Sequence, residues 1–293
     1  MLPFLLAAAL LQASASRFLL ASAIDREGRP AVGLEADDFL VREENQLRTT
    51  LDAWPAVYPV AILVDNTQNA RADFIQIRSA VHQFVGSLSG REVALYSFGD
   101  RATRIVDFTT DLKKVEKATE NLFALPESES HVLDAVIEAA RDIRKREVPV
   151  AAIVVVSAGG NDQSNRTPRE VFEPVLGSRS IVHVMDMRSP RASGRLGRVR
   201  GLRNGTSDRA AEAALGLEEV LRGLAERTQG GYDHVYAASG FGALLQELRM
   251  QLVSEVFVEY EAPSPGVSPG LAIGVRLPGV TVRGVGLDRE PRR

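Results

Sequence analysis

Apolar positions along the chain change their period twice. Between residues 17 and 57, short runs at 18–24, 39–42 and 46–53 have strand character. They are separated by the turn signals Asp25-Arg26-Glu27-Gly28 and Ala36-Asp37-Asp38. This pattern predicts a small β element over 16–57. From Pro59 onward, wholly apolar runs alternate with runs spaced by three and four. Val60-Ala61-Ile62-Leu63-Val64, ended by Asp65, predicts a central parallel strand buried on both faces. Phe74, Ile77, Val81, Phe84, Val85 and Leu88 then share one face, predicting an amphipathic helix that ends at Gly90.

The alternation continues with strands at 93–98 and 104–108. A helix follows, entered through Thr109-Thr110-Asp111, with Leu112, Val115, Ala118 and Leu122 inward. A further helix is predicted over 131–145, a strand apolar on both faces over 150–156, a short helix opened by Pro168 and a strand over 180–185. Between 188 and 209 the apolar period disappears and seven arginines stand among Gly, Ser and Pro, which predicts a flexible basic insertion. Regular pattern resumes with a helix through Leu217, Val220, Leu221 and Leu224, a strand at 232–236 and a helix at 244–253. Together these runs predict a doubly wound, mostly parallel α/β sheet over 58–253. Strand-like runs at 255–260, 271–276 and 280–285 follow, and residues 254–293 are expected to pair with the N-terminal element as a smaller β-rich domain.

Composition narrows the functional classes. With 35 basic against 38 acidic residues, the net charge of −3 provides no general attraction to nucleic acid. Zero cysteines exclude thiol nucleophiles, thiolate metal sites and disulfides, and four scattered histidines make a histidine metal centre improbable. The apolar run of residues 2–11 is too short to span a bilayer and is followed by Ala13-Ser14-Ala15, a small-x-small cleavage pattern. Residues 1–15 therefore read as a signal peptide, giving an exported chain, periplasmic or secreted, without a transmembrane segment after processing.

Open α/β sheets place their chemistry at the carboxyl ends of the strands. After the first such strand stands Asp65-Asn66-Thr67-Gln68-Asn69, in which three alternate side chains can offer oxygen to one hard cation such as Mg²⁺ or Mn²⁺. The same residues can instead cap the following helix. The strand order, this Asp-x-Thr-x-Asn loop, the helix start at Leu133-Asp134-Ala135 and the strand ending Ser157-Ala158-Gly159-Gly160 resemble a von Willebrand factor type A domain over 59–253. The flanking segments 24–30, 34–39 and 224–231 are similar to an exported bacterial group of related proteins.

The resemblance implies a non-catalytic, protein-binding module that recognises a protein partner at a metal-ion-dependent adhesion site. In the family this site holds Mg²⁺ by Asp-x-Ser/Thr-x-Ser, a distant Thr and a distant Asp. Asp65 and Thr67 match, Asn69 departs conservatively, and Ser130 falls where the Thr belongs. Ala158 replaces the distant Asp, so the site reads as degenerate and should hold Mg²⁺ or Mn²⁺ more weakly, with Asp162 placed to compensate. The implied partner-binding residues are Asp65, Asn66, Thr67, Asn69, Ser130 and Asp162.

An alternative of another class is a Mg²⁺-dependent phosphohydrolase with Asp65 as nucleophile, although Thr67 stands where such enzymes carry a second Asp. No nucleophile elbow, Walker loop or strand-linked Gly-x-Gly-x-x-Gly occurs. Ser130 before His131 reads as a helix cap, His183 as a core histidine, and Trp54 as a packing anchor where the β element meets the α/β domain.

Overall fold

The computed structural model describes residues 15–188, 205–264 and 270–292, with 205–215 described by backbone alone. All of the expected leader except Ala15, and residues 189–204 of the expected insertion, lie outside the described residues. The chain divides into two compact units: Val57–Val253, and a second formed by the segments that end at Ala56 and resume at Ser254.

In the second unit, β1 (Ala15–Ile24), β2 (Phe39–Glu43), β3 (Gln46–Arg48) and β4 (Thr50–Pro55) meet β11 (Val256–Ala262), β12 (Leu271–Val275) and β13 (Thr281–Leu287). They form two antiparallel sheets, ordered β13-β1-β11-β4 and β12-β2-β3. Alternation along the strands sends Leu19, Ala21, Val41, Val258 and Tyr260 into a shared core. One polar network is buried there. Arg17 pairs with Glu43 at 2.5 Å, and the Tyr260 hydroxyl donates to the same carboxylate at 2.8 Å. The run expected as one strand over 46–53 is interrupted at Thr49, and its halves join different sheets. Trp54 packs edge-on to Phe18 and tilted on Phe257, at ring separations of 6.3 and 6.0 Å, and all three belong to this unit.

The larger unit is a six-stranded sheet. Its strands are β5 (Val60–Val64), β6 (Val93–Ser97), β7 (Thr103–Thr109), β8 (Ala151–Ser157), β9 (Ser180–Met187) and β10 (Tyr232–Val235), in the order β10-β9-β8-β5-β6-β7. Every pairing is parallel except β6 with β7, which form an antiparallel hairpin at one edge. The five residues of β5 are all buried, as a strand flanked on both sides and covered on both faces requires. Its helices are α1 (Phe74–Gly86), α2 (Leu112–Glu120), α3 (Val132–Lys145), α4 (Pro168–Gly177), α5 (Gly205–Arg227) and α6 (Phe241–Ser254). Leu133, Val136, Val171, Val175, Leu221 and Leu224 of α3, α4 and α5 pack on Ala61, Leu63, Ile153 and Val182 of the sheet.

Local chemistry sets the helix ends. Thr167 and Glu170 form a capping box around Pro168 at the start of α4. Helix α1 stops at Gly86 rather than Gly90, which lies at φ +81° in the turn before β6. Helix α5 begins at Gly205, so residues 205–209, expected in the insertion, are helical. Among the described residues no helix is long and apolar enough to cross a membrane.

Candidate functional site

Because β5, β8 and β9 run parallel and in register, their carboxyl ends bring three loops to one edge of the sheet. Asp65 terminates β5 there, fully buried. One carboxylate oxygen accepts the N–H of Thr67 at 2.9 Å and the other accepts the N–H of Ala158 at 2.8 Å. Burial pushes this carboxyl above the usual aspartate range, and the Thr67 and Ala158 hydrogen bonds only partly oppose it. Thr67, also fully buried, accepts the N–H of Asn69 through its hydroxyl at 3.2 Å and so opens a short 3₁₀ turn.

Asn69 is exposed and donates from its side-chain amide to the carbonyl of Gly159 at 3.0 Å. This contact explains Gly160, whose φ is +111° and where an added Cβ would stand 2.0 Å from the Asn69 amide nitrogen. Asn66 turns inward: its side-chain oxygen accepts the Gly99 N–H at 2.7 Å, and its own carbonyl accepts the Leu125 N–H at 2.8 Å. It ties three loops together beneath the rim.

Ser130 and Asp162 lie beside each other, joined by a parallel bridge and by the Gln163 N–H donating to the Ser130 carbonyl at 2.7 Å. Asp162 faces the start of α3. One of its oxygens accepts the Leu133 N–H at 3.3 Å and the Ser164 hydroxyl at 2.9 Å, and the other accepts the Ser164 N–H at 3.0 Å. Ser164 takes the Asp134 N–H at 3.0 Å. The capping role expected of Ser130 is therefore performed from another loop, because His131 occupies the cap position without a side-chain cap bond. The structure thus gathers Asp65, Thr67 and Asn69 around 157–160 and places Ser130 with Asp162 on the adjoining rim.

A further carboxylate stands in this region. Asp186, near the end of β9, pairs in register with Ser157 and accepts the Tyr232 hydroxyl at 3.3 Å. Burial raises its pKa, and its charge in turn raises that of Asp65. Sequence reasoning missed it, yet the signal was the same as for Asp65: an acid that closes an apolar strand, here Ile181-Val182-His183-Val184-Met185.

These donors do not fit a hard divalent cation. Position 158 supplies only a methyl group, both oxygens of Asp65 are engaged by N–H groups, and those of Asp162 are directed at α3. Among the described residues no three His, Cys, Asp or Glu side chains are grouped to hold a metal.

Residues 60–161 match the family model of the von Willebrand factor type A domain. The α/β unit has the fold of a von Willebrand factor type A domain. Among solved structures, this domain and its flanks are similar to a von Willebrand factor type A protein from Catenulispora acidiphila. That likeness has 10% identity and a TM-score of 0.51, covering 94% of this chain and 74% of that one. Proximal thread matrix protein 1 from the mussel byssus, with a zinc-occupied MIDAS motif, also shows 10% identity and a TM-score of 0.51, over 71% of this chain and 48% of that one. The conserved hypothetical protein BatB from Bacteroides thetaiotaomicron shows 19% identity and a TM-score of 0.48, over 67% of this chain and 98% of that one. At such identities the likeness is one of fold. No curated protein matches the chain. Von Willebrand factor type A domains are generally interaction modules.

Proposed function

We propose that the protein is a non-catalytic binding module whose carboxyl-edge loops recognise a protein partner through a degenerate adhesion site that needs no resident divalent cation. The observation that carries this reading is the engagement of both Asp65 oxygens by the Thr67 and Ala158 N–H groups. An aspartate committed in this way is a structural acceptor for its loop. Asp65 is fully buried and each of its oxygens already accepts an N–H, so neither is presented for in-line attack on phosphorus, and the geometry gives no support to a phosphohydrolase built on Asp65. Asn69 and Gln68 are the exposed residues of the loop and the ones that meet a partner.

The test is capture from the native envelope fraction by wild type and by Asn69→Arg, with melting curves as the control for folding. The reading expects a partner held by wild type and lost by the variant, with no change when EDTA replaces Mg²⁺. Phosphatase turnover that disappears in Asp65→Asn would overturn it. We also propose that residues 1–15 are a leader and that the chain is exported, supported by the apolar run before Ala13-Ser14-Ala15. N-terminal sequencing from the native host should find Ser16 first, and recovery of intact Met1 in the cytoplasmic fraction would end that proposal.

A further inference from the structure

The last paired rung between β8 and β9 is polar. Ser157 stands opposite Asp186 there, two residues beyond Val155 and Val184 on the face that packs beneath α3, α4 and α5. Ser157 is buried, and its hydroxyl has a partner on each side. It donates to the Asp186 carboxylate and accepts the Gly159 N–H at 3.0 Å. A hydroxyl carries one proton, so an acceptor-only carboxylate on one side settles which way it points and leaves a lone pair for Gly159. Asp186 is in turn held from β10 by the Tyr232 hydroxyl at 3.3 Å. The Tyr232 ring is fixed by the Arg222 guanidinium, 4.5 Å from its centre, which Glu218 holds at 2.8 Å from one turn earlier on α5.

This polar chain reaches the surface. Gly159 lies at φ +75°, and an added Cβ would stand 2.6 Å from the Met187 carbonyl, so the loop passes close over the end of β9. Its carbonyl then accepts the Asn69 side-chain amide at 3.0 Å. Asp186, Ser157, Gly159 and Asn69 are therefore linked in sequence from the interior to the rim. Burial pushes the Asp186 carboxyl up, a destabilisation that an apolar side chain at this half-buried place would avoid. What the carboxylate contributes is its pair of accepted hydroxyls.

We infer that Asp186 is a positioning residue of the carboxyl edge: through Ser157 it fixes the Gly159 carbonyl and thereby the direction in which Asn69 is presented. The inference rests on the proposed role of Asn69 in meeting a partner, and it adds the residue that sets the geometry of that contact.

Asp186→Asn and Asp186→Leu both remove the charge, but only the amide keeps an acceptor for the Ser157 hydroxyl, since Tyr232 can turn to accept from its NH₂ group. In the full chain labelled with ¹⁵N-asparagine, the Asn69 side-chain amide is assigned by its loss in Asn69→Ala. It should keep its wild-type shift in Asp186→Asn and move to the position of a solvent-exposed amide in Asp186→Leu. Hydrogen exchange at the Gly159 N–H should be roughly tenfold faster in Asp186→Leu alone. Ser157→Ala removes the middle hydroxyl with little change of volume and should reproduce the Asp186→Leu result, and melting curves check that each variant folds. Capture from the native envelope fraction should persist in Asp186→Asn and fail in Asp186→Leu. An unmoved Asn69 amide in folded Asp186→Leu or Ser157→Ala, or an equal change in Asp186→Asn, would overturn the proposal. A moved amide with capture intact would leave the positioning role standing and overturn the partner role of Asn69.

Discussion

The N–H of Ala158 donates to the carboxylate of Asp65 at 2.8 Å across the gap between β8 and β5. The residue at the family's acidic position thus supports Asp65 through its backbone while its methyl group leaves the local charge unchanged. A carboxylate there would add a second negative charge beside a buried one, a cost that a cation could offset.

Ala158→Asp should accordingly melt below wild type in EDTA and regain stability with Mg²⁺ or Mn²⁺. A ligand that binds only the folded state contributes RT ln(1 + [L]/Kd), about 2.7 kcal/mol at a hundredfold excess over Kd. Differential scanning fluorimetry with and without metal reads this directly. Wild type should shift little, and a folded Ala158→Asp variant with no metal response would show that the donors cannot converge.

Asp186→Asn should stabilise the protein at neutral pH. Burial raises the folded-state pKa of Asp186, so its contribution is favourable below the ordinary aspartate pKa and is lost as pH rises through the folded value. Removing the charge removes that loss, while the amide can still meet the Tyr232 hydroxyl. A rise of a few degrees in melting temperature at pH 7, vanishing at pH 4, is the expected outcome. Equal melting at both pH values would show that the carboxylate is not under strain from burial.

The central strands β5 and β8 were legible because they are short apolar runs that close on Asp65 and Ser157, and α3 because its inward positions recur at three and four. Sequence gave Asp65, Thr67 and Asn69 as one loop by spacing alone. What it could not show was which groups each oxygen accepts. Asp162 is four residues from Ala158 in sequence, but its hydrogen bonds run to the start of α3, a tertiary relationship invisible to spacing. The break at Thr49 escaped for a similar reason, since strand propensity is continuous there and only the pairing partner changes. Asp186 was accessible in principle through the same strand-end rule that found Asp65.

Glu43→Gln should weaken the β unit strongly. Glu43 is buried with Arg17 at 2.5 Å, Tyr260 at 2.8 Å and Arg48 at 3.5 Å, so neutralising it leaves the Arg17 guanidinium in the interior without its counter-charge. Loss of one partner from a buried pair costs about 3–5 kcal/mol. Urea unfolding followed by Trp54 fluorescence, which reports on this unit, should show the loss. The double variant Arg17→Met, Glu43→Leu should recover part of it, and a single variant within about 0.5 kcal/mol of wild type would mean that solvent reaches the pair.

His183 should make the protein acid-sensitive well above the carboxylate range. It lies in β9, 4% exposed, and its Nε2 has no hydrogen-bond partner among the described residues. Burial alone depresses its pKa from 6.5 to about 4, because the imidazolium would lose its hydration without gaining a counter-charge. The fold therefore holds His183 neutral. Its contribution is fully present above pH 6.5 and declines as pH falls from there towards 4, since the unfolded chain takes up the proton first. The gap corresponds to about 3 kcal/mol at its limit. Chemical denaturation at steps between pH 7 and pH 4 should show wild type losing stability across this window, whereas His183→Leu should follow a flatter curve. Parallel curves for the two proteins would mean that His183 reaches a proton-accepting partner or water in the folded state.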